Sequence, residues 1–300
     1  MSATDDPPAD MGLAPTAPDA ATASPAAESS PSTPASAGQV TDDAAVAHTS
    51  IKSIGTAVDR NARYRRTMED EHIFVDRFAG DDSTGYFGIY DGHGGRQVVE
   101  RVKAELHSIF EKLILAGELT IAEAWKKAYA DMDQIIADEK IMFSGTTAAT
   151  VLLQTEDGVR KLHAANAGDA RIVLVRAKKG VRLTHDHKAS DPEEVARIQE
   201  AGGFVIMNRV NGMLAVTRAL GDLTMKDHVT CEPYTFSIDL IEEDTHLIVA
   251  CDGVWDVMED DEAAALVAAA STSQEAATRL LRQSLKAGST DNISVMVVEL

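Results

Sequence analysis

The chain has 300 residues with 48 acidic residues against 28 Lys and Arg, which gives a formal net charge of −20 at pH 7. This excess of negative charge disfavours nucleic acid or an anionic membrane as the main partner. The two cysteines, Cys231 and Cys251, provide neither a disulfide framework nor a zinc-binding spacing. Cys251 lies in an apolar run, so we expect it to be a small core residue.

Residues 1–50 differ in composition from the rest of the chain. They contain seven of the nine prolines and seven acidic residues, but no Lys, Arg, Phe, Tyr or Trp. Such a segment buries too little apolar surface to offset its ordering entropy. We therefore predict a disordered, acidic, Ala/Pro/Ser/Thr-rich tail over residues 1–50 and one folded domain over residues 51–300. No secretory signal or transmembrane segment is recognisable, so we expect a cytoplasmic and/or nuclear protein.

Helices are predicted from apolar spacing and capping residues. Residues 96–115 have apolar side chains at helical intervals, and Thr120 with Glu123 forms a capping box that opens a second helix. A third helix at 193–201 follows an Asp-Pro start. The remaining predicted helices are 261–270 and 273–286.

Strands are predicted from short apolar runs, and they occur in clusters. In chain order they are 51–58, 73–76, 85–90, 146–153, 161–167, 171–175, 247–251 and 293–299. Because the helices come in consecutive pairs and regular βαβ alternation is missing, we predict an α+β fold. Its sheets are expected to be mainly antiparallel and covered by helix pairs.

Three acidic residues follow or precede apolar strands in distant parts of the chain. Asp91 ends the run 85–90 and opens a glycine-rich turn with His93, Asp252 ends the run 246–251, and Asp291 precedes the last strand. A single Asp-Gly of this kind is usually an ordinary turn. The repeated combination with a buried strand predicts that these carboxylates meet at one edge and bind a cation.

Further acids occur in similar contexts, namely Glu69, Asp70 and Asp169. Carboxylates that converge would repel one another unless a cation intervened. Oxygen ligands without a His/Cys cluster favour Mg²⁺ or Mn²⁺ over zinc. The pair His185 and His187 is interpreted as a solvated loop, because no partner ligand lies nearby in the sequence.

An ordered series of motifs across residues 51–300 resembles the PP2C family of metal-dependent serine/threonine protein phosphatases. The motifs are Arg65…Glu69-Asp70, Phe87-Gly-Ile-Tyr-Asp-Gly-His-Gly-Gly95, Ser144-Gly-Thr-Thr147, Asn166-Ala-Gly-Asp-Ala-Arg171, Leu183…Asp186-His187, Arg197-Ile-Gln-Glu-Ala-Gly-Gly203, Leu214-Ala-Val-Thr-Arg-Ala-Leu-Gly-Asp222, Ala250-Cys-Asp-Gly-Val-Trp-Asp256 and Ser289-Thr-Asp-Asn-Ile-Ser294. The resemblance implies a central antiparallel β-sandwich flanked by α-helices on both outer faces. Residues 223–232 are shorter than the flap of many members, and Gly221-Asp222 is expected to support packing.

The resemblance also implies the roles of individual residues. Two Mg²⁺ or Mn²⁺ ions per subunit, with a weaker third, would be held by acids and one carbonyl group. The implied metal-site residues are Asp91, Gly92, Asp252, Asp291, Glu69, Asp70 and Asp169. Arg65 would bind the substrate phosphate, although the adjacent Arg66 is an alternative, and His93 would be the general acid.

The implied reaction is hydrolysis of phosphoserine and phosphothreonine on proteins, by direct attack of a water that bridges two metals. Phosphoprotein substrates and a monomeric state are expected, with no nucleic-acid or membrane partner. Two alternatives stay open at this point. One is a catalytically inactive scaffold, although no metal carboxylate is missing, and the other is a hydrolase of small phosphate esters. The sequence does not identify the physiological substrate or choose between Mg²⁺ and Mn²⁺.

Overall fold

The computed structural model describes residues 39–41 and 47–300. In chain order its strands are β1 (Gln39–Thr41), β2 (Ser53–Asp59), β3 (Asp70–Asp76), β4 (Gly85–His93), β5 (Gly145–Thr146), β6 (Ala148–Glu156), β7 (Val159–Ala167), β8 (Arg171–Arg176), β9 (Lys179–Arg182), β10 (Val205–Ile206), β11 (Arg209–Val210), β12 (Leu220–Gly221), β13 (Tyr234–Asp239), β14 (Asp244–Ala250) and β15 (Ile293–Glu299). Its helices are α1 (Gln97–Ala116), α2 (Ile121–Asp138), α3 (Pro192–Glu200), α4 (Asp252–Trp255), α5 (Asp260–Ala268) and α6 (Ser273–Ala287).

The strands form two large sheets that face each other. The first sheet has the order β1-β2-β15-β14-β8-β9, and the second has the order β12-β5-β4-β6-β7-β13, with β3 paired to the free edge of β4. The pairings between these strands are antiparallel. Strands β4 and β14 are inner strands of their sheets. The acids that follow their apolar runs therefore lie at the ends of inner strands and not on the edge strands.

Alternate residues of each central strand belong to different layers of the core. On β14, Leu247 and Val249 pack between the sheets, while Ile248 packs outward with α5 and α6. On β6, Val151 packs between the sheets and Leu152 packs outward with α1 and α2. Because side chains alternate across a strand and both faces are covered, these strands are apolar throughout.

Each helix pair covers the outer face of one sheet. Helices α1 and α2 bury a stripe that includes Phe110 and Trp125, whose rings stack with centroids 3.5 Å apart. The capping box predicted at Thr120 is present, since its hydroxyl accepts from the Glu123 amide and Glu123 accepts from the Thr120 amide. The predicted α+β class, with a central antiparallel sandwich and helices on both outer faces, is confirmed.

A smaller packed unit, here called the α3 unit, comprises residues 188–232 between β9 and β13. It contains α3, the β10–β11 hairpin and a 3₁₀ turn at Leu223–Met225. Its own apolar core consists of Ala189, Ile198, Val210, Val216, Ala219, Met225 and Val229. Residues 223–232, interpreted from the sequence as a short flap, are therefore one part of a larger unit.

Several elements are missed by the sequence analysis. The edge strands β9 and β13 are short and half exposed, so neither has a continuous apolar run. Helix α4 has four residues and begins at the Asp-Gly dipeptide directly after β14, so it is too short to show a helical pattern of apolar residues. Within the described residues, no helix combines the length and the apolar character needed to cross a bilayer.

Some described residues before position 51 contact the first sheet or β3. The backbone amides of Thr49 and Ser50 donate to the Asp76 carboxylate at 3.0 and 3.1 Å, and β1 pairs with β2. Residues before position 51 therefore contact the folded part of the chain, and the domain boundary at residue 51 stays a prediction. The rest of the predicted tail, residues 1–38 and 42–46, lies outside the described residues.

Candidate active site

Two of the predicted acids come together because of the register between β3 and β4. Asp70 pairs directly with Asp91 in this antiparallel ladder. Directly paired residues carry their side chains on the same face, about 5 Å apart. Oxygen atoms of both carboxylates and the Cys251 sulfur lie within 4.8 Å of one another. The adjacent carboxylates are a consequence of strand pairing and not of proximity in the sequence.

Two further acids reach Asp91, one from the first sheet and one from a connection between the two sheets. Asp252 is the first residue of α4, directly after β14, and Asp169 lies in the turn between β7 and β8. One oxygen from each of Asp91, Asp169 and Asp252 lies within 4.8 Å of the other two. Asp291 precedes β15, which is the neighbour of β14. The structure thus brings acids from both sheets to one end of the sandwich.

Burial and mutual repulsion raise the pKa values of these carboxyl groups. Burial is the main cause in each case and the neighbouring carboxylates add to it, so that the pKa of Asp70 rises to about 7 and that of Asp252 to about 6. The pKa values of Asp91 and Asp169 are raised well above the usual range for the same reasons. Without a counter-cation, this cluster retains protons that isolated carboxyl groups lose.

The donor set fits hard divalent cations. Asp70 Oδ2 and Asp252 Oδ1 are buried and have no hydrogen-bond partner in the described part of the chain. Buried carboxylate oxygens are normally paired or bound to a metal. Cys251 does not complete a softer site, because its sulfur accepts from the Ser294 amide at 3.2 Å and burial raises the pKa of its thiol. Its prediction as a core residue is consistent with this environment.

A small open cavity of about 120 Å³ is lined in part by Glu69 and Gly92, the sequence neighbours of Asp70 and Asp91. Its lining residues are Arg65, Thr67, Glu69, Gly92, His93, Gly94 and Asn292. Glu69 is held there by the Thr67 hydroxyl at 2.8 Å and by the Gly95 amide at 3.2 Å. The cavity lining therefore combines the Arg65 guanidinium group, the Glu69 carboxylate and His93, the predicted proton donor.

Arg65, and not Arg66, lines this cavity. Its guanidinium group forms an ion pair with Asp291 and donates through Nε to the Thr290 carbonyl at 3.3 Å. Arg66 is exposed, and its carbonyl group accepts from Arg60 at 3.2 Å. Arg65 is therefore the better placed of the two arginines, and its role in binding phosphate stays a prediction.

The sequence matches the family model described as Protein phosphatase 2C over residues 54–293, which is more than half of the chain. The chain belongs to the protein phosphatase 2C family. The clustered acids and the residues that line the cavity lie within the matched residues.

Relatives and solved structures agree with this membership. The chain is 43% identical over 259 residues to "Protein phosphatase 2C homolog 1" of Saccharomyces cerevisiae, covering 82% of this chain and 92% of that protein. It is 40% identical over 251 residues to the protein of the same name from Schizosaccharomyces pombe, covering 82% and 72%. The crystal structure of serine-threonine phosphatase 2C from Toxoplasma gondii has a TM-score of 0.69 at 21% identity, covers 84% and 96% of the two chains, and supports the fold alone.

In this protein phosphatase 2C family member, four further residues lie at the site, and the sequence analysis assigns none of them a role in binding or catalysis. Asn292 donates to the Arg60 and Thr67 carbonyls at 2.8 and 3.0 Å and accepts from the Glu69 amide at 2.9 Å, so it fixes the loop that carries Arg65. Lys188 lies 3.7 Å from Asp169 and forms an ion pair with Asp256. Asp256 has a weak sequence signal, since it follows the Asp252 motif by one helical turn.

The fourth of these residues is Asp222, whose Oδ2 lies 2.7 Å from His93 Nε2. Its sequence signal is the Gly221-Asp222 dipeptide, which was interpreted as packing support. The interpretation of His185 and His187 as a solvated loop is half wrong. His185 is exposed and pairs with Asp191, whereas His187 is buried, and burial lowers its pKa to about 4.

Proposed function

We propose that this chain is a metal-dependent phosphatase that hydrolyses phosphoserine and phosphothreonine in proteins by direct attack of water on phosphorus. Family membership supports the reaction class. The observation that carries the proposal is the convergence of Asp70, Asp91, Asp169 and Asp252, together with a cavity lined by Arg65 and by the sequence neighbours of Asp70 and Asp91. Phosphate monoesters hydrolyse very slowly in water, so a large reduction of the barrier is required.

In this proposal the carboxylates hold two Mg²⁺ or Mn²⁺ ions, with a weaker third. Asp91, Asp252, Asp291 and the Gly92 carbonyl are assigned to the first two ions, and Asp169 to the third. When bound, such ions lower the pKa of the attacking water and neutralise charge on the phosphoryl oxygens. The unpartnered oxygens of Asp70 and Asp252 support the assignment.

The remaining residues bind the substrate and move protons. Arg65 presents a planar guanidinium group that suits two phosphoryl oxygens, and its pairing with Asp291 keeps it at the cavity wall. Glu69 and Asp70 would hold water molecules that are bound to the metal ions. His93 gives a proton to the departing serine or threonine oxygen, which is a poor leaving group as an alkoxide.

The direct test is phosphate release from a phosphopeptide with Mn²⁺ and with EDTA. We expect release only with the metal, and equal rates in both conditions would refute the proposal. Calorimetry with Mn²⁺ distinguishes an inactive scaffold, which would bind no metal. A higher kcat/KM for small phosphate esters than for phosphopeptides would instead identify a small-ester hydrolase.

The role of His93 has its own test. His93→Ala is expected to slow hydrolysis of alkyl phosphates by about 10²-fold or more, and aryl phosphates much less, because a good leaving group needs little protonation. Equal slowing of both substrates would contradict the general-acid assignment.

A further inference from the structure

His93 is held by a buried carboxylate from a distant part of the chain. Its Nε2 lies 2.7 Å from Asp222 Oδ2, and the two residues are 129 positions apart in the sequence. The Asp222 side chain is 8% exposed and that of His93 is 27% exposed. We propose that Asp222 is a positioning residue that fixes the orientation and tautomer of His93, an inference that rests on the proposed phosphatase function.

Strand pairing places the two residues together. His93 on β4 pairs with Gly145 on β5, and Gly145 pairs with Gly221 on β12. The Asp222 amide then donates to the Ser144 carbonyl at 3.0 Å. The three segments therefore lie side by side, and Asp222 follows the last of them immediately.

Two local features make room for the contact. A Cβ atom on Gly145 would lie 2.2 Å from Asp222 Oδ2 and 2.5 Å from His93 Nε2, so a side chain at this position would displace the pair. Asp222 itself has φ +51°, a left-handed conformation that few residues other than Gly, Asn and Asp adopt readily. Both features are costly locally, and both serve the same contact.

The contact decides which ring nitrogen can act as the acid. When Nε2–H donates to Asp222, Nδ1 is the remaining nitrogen that can carry the transferred proton. As the bond between phosphorus and the leaving oxygen breaks, its electron pair stays on that oxygen and the Nδ1 proton moves to it. The neutral imidazole stays bound to Asp222 through Nε2–H, and solvent restores the proton on Nδ1. The attacking water supplies the new oxygen on phosphorus.

Asp222→Asn tests this role, because Asn tolerates the same left-handed backbone and has nearly the same shape. With Mn²⁺ present, we expect hydrolysis of an alkyl phosphopeptide to slow by about 10-fold to 100-fold, a part of the general-acid contribution. An aryl phosphate should slow by less than about threefold, since its leaving group needs little protonation. Asp227→Asn is the matched control, because Asp227 lies on the same segment, is exposed and makes no contact with His93 among the described residues.

Two further measurements separate positioning from a general structural role. In a His93→Ala background, Asp222→Asn should add almost nothing, because residues that act as a unit are not additive. Nitrogen chemical shifts of His93 in the metal-free wild-type protein should show a proton on Nε2, a readout that does not depend on any variant folding.

Equal slowing of alkyl and aryl substrates, an undiminished effect in the His93→Ala background, or an unprotonated Nε2 would each overturn the inference. If the wild-type enzyme is active with Mn²⁺, any of these results leaves the proposed function intact. A wild-type protein without Mn²⁺-dependent activity would overturn the proposed function instead, whereas the chemical shifts of His93 would still report on the contact with Asp222.

Discussion

Glu194 on α3 forms hydrogen bonds with Thr217 and Arg218, which lie on the segment that leads to Asp222. Its replacement should lower the free energy of unfolding by an amount that follows from its pKa. This side chain is buried, with 3% of the residue exposed. It accepts from Arg218 at 2.6 Å, Arg197 at 2.9 Å and the Thr217 hydroxyl at 2.7 Å. Burial alone would raise the pKa of Glu194, but these hydrogen bonds and charges lower it from 4.5 to about 2. A difference of about 2.5 pKa units corresponds to about 3 kcal/mol of folding stability.

Because the folded-state pKa is depressed, this stabilisation is present above the unfolded-state value of 4.5 and is lost as the pH falls toward about 2. Glu194→Gln should therefore lower the free energy of unfolding by about 3 kcal/mol at neutral pH, as measured by urea titration. The difference between variant and wild type should shrink between about pH 5 and about pH 2. Glu200→Gln, an exposed site on the same helix, is the control with the same charge change. A difference in the free energy of unfolding that does not depend on pH would refute the reasoning. So would a loss of less than about 1 kcal/mol at neutral pH, because solvent-exposed ion pairs contribute no more than that.

The other predictions concern the metal site and the tail. Asp91→Asn and Asp252→Asn should each abolish phosphate release and weaken Mn²⁺ binding in calorimetry, so wild-type activity in either variant would contradict the site assignment. Mn²⁺ at about 100 times its Kd should raise the free energy of unfolding by about 2.7 kcal/mol, and no shift would mean that the folded state does not bind it. In Gly253→Ala, the new Cβ would lie 2.0 Å from the Asn292 carbonyl oxygen. We expect the displaced turn to cost about tenfold in Mn²⁺ affinity, and unchanged affinity would contradict the importance of this packing. A chain without residues 1–38 should hydrolyse phosphopeptides nearly as fast as the full chain, whereas a large drop would show that the tail takes part in catalysis.

The sequence predicts the central layers of the fold well, because their signals are local. The apolar run before Asp252 indicates a strand that is buried on both faces, and the structure has it at the centre of the first sheet. The capping residues at Thr120 and Asp191 locate the starts of α2 and α3. Edge strands such as β13 are missed because pairing with a neighbour, and not their own composition, makes them strands.

The sequence by itself identified carboxylates at the ends of apolar strands as candidate cation ligands, and its resemblance to the PP2C family indicated the reaction class. Only the tertiary structure decided which of them meet. The register of β3 against β4 pairs Asp70 with Asp91, and the β5–β12 ladder brings Asp222 to His93. Such contacts depend on strand pairing between segments far apart in the chain, which no local pattern of residues specifies.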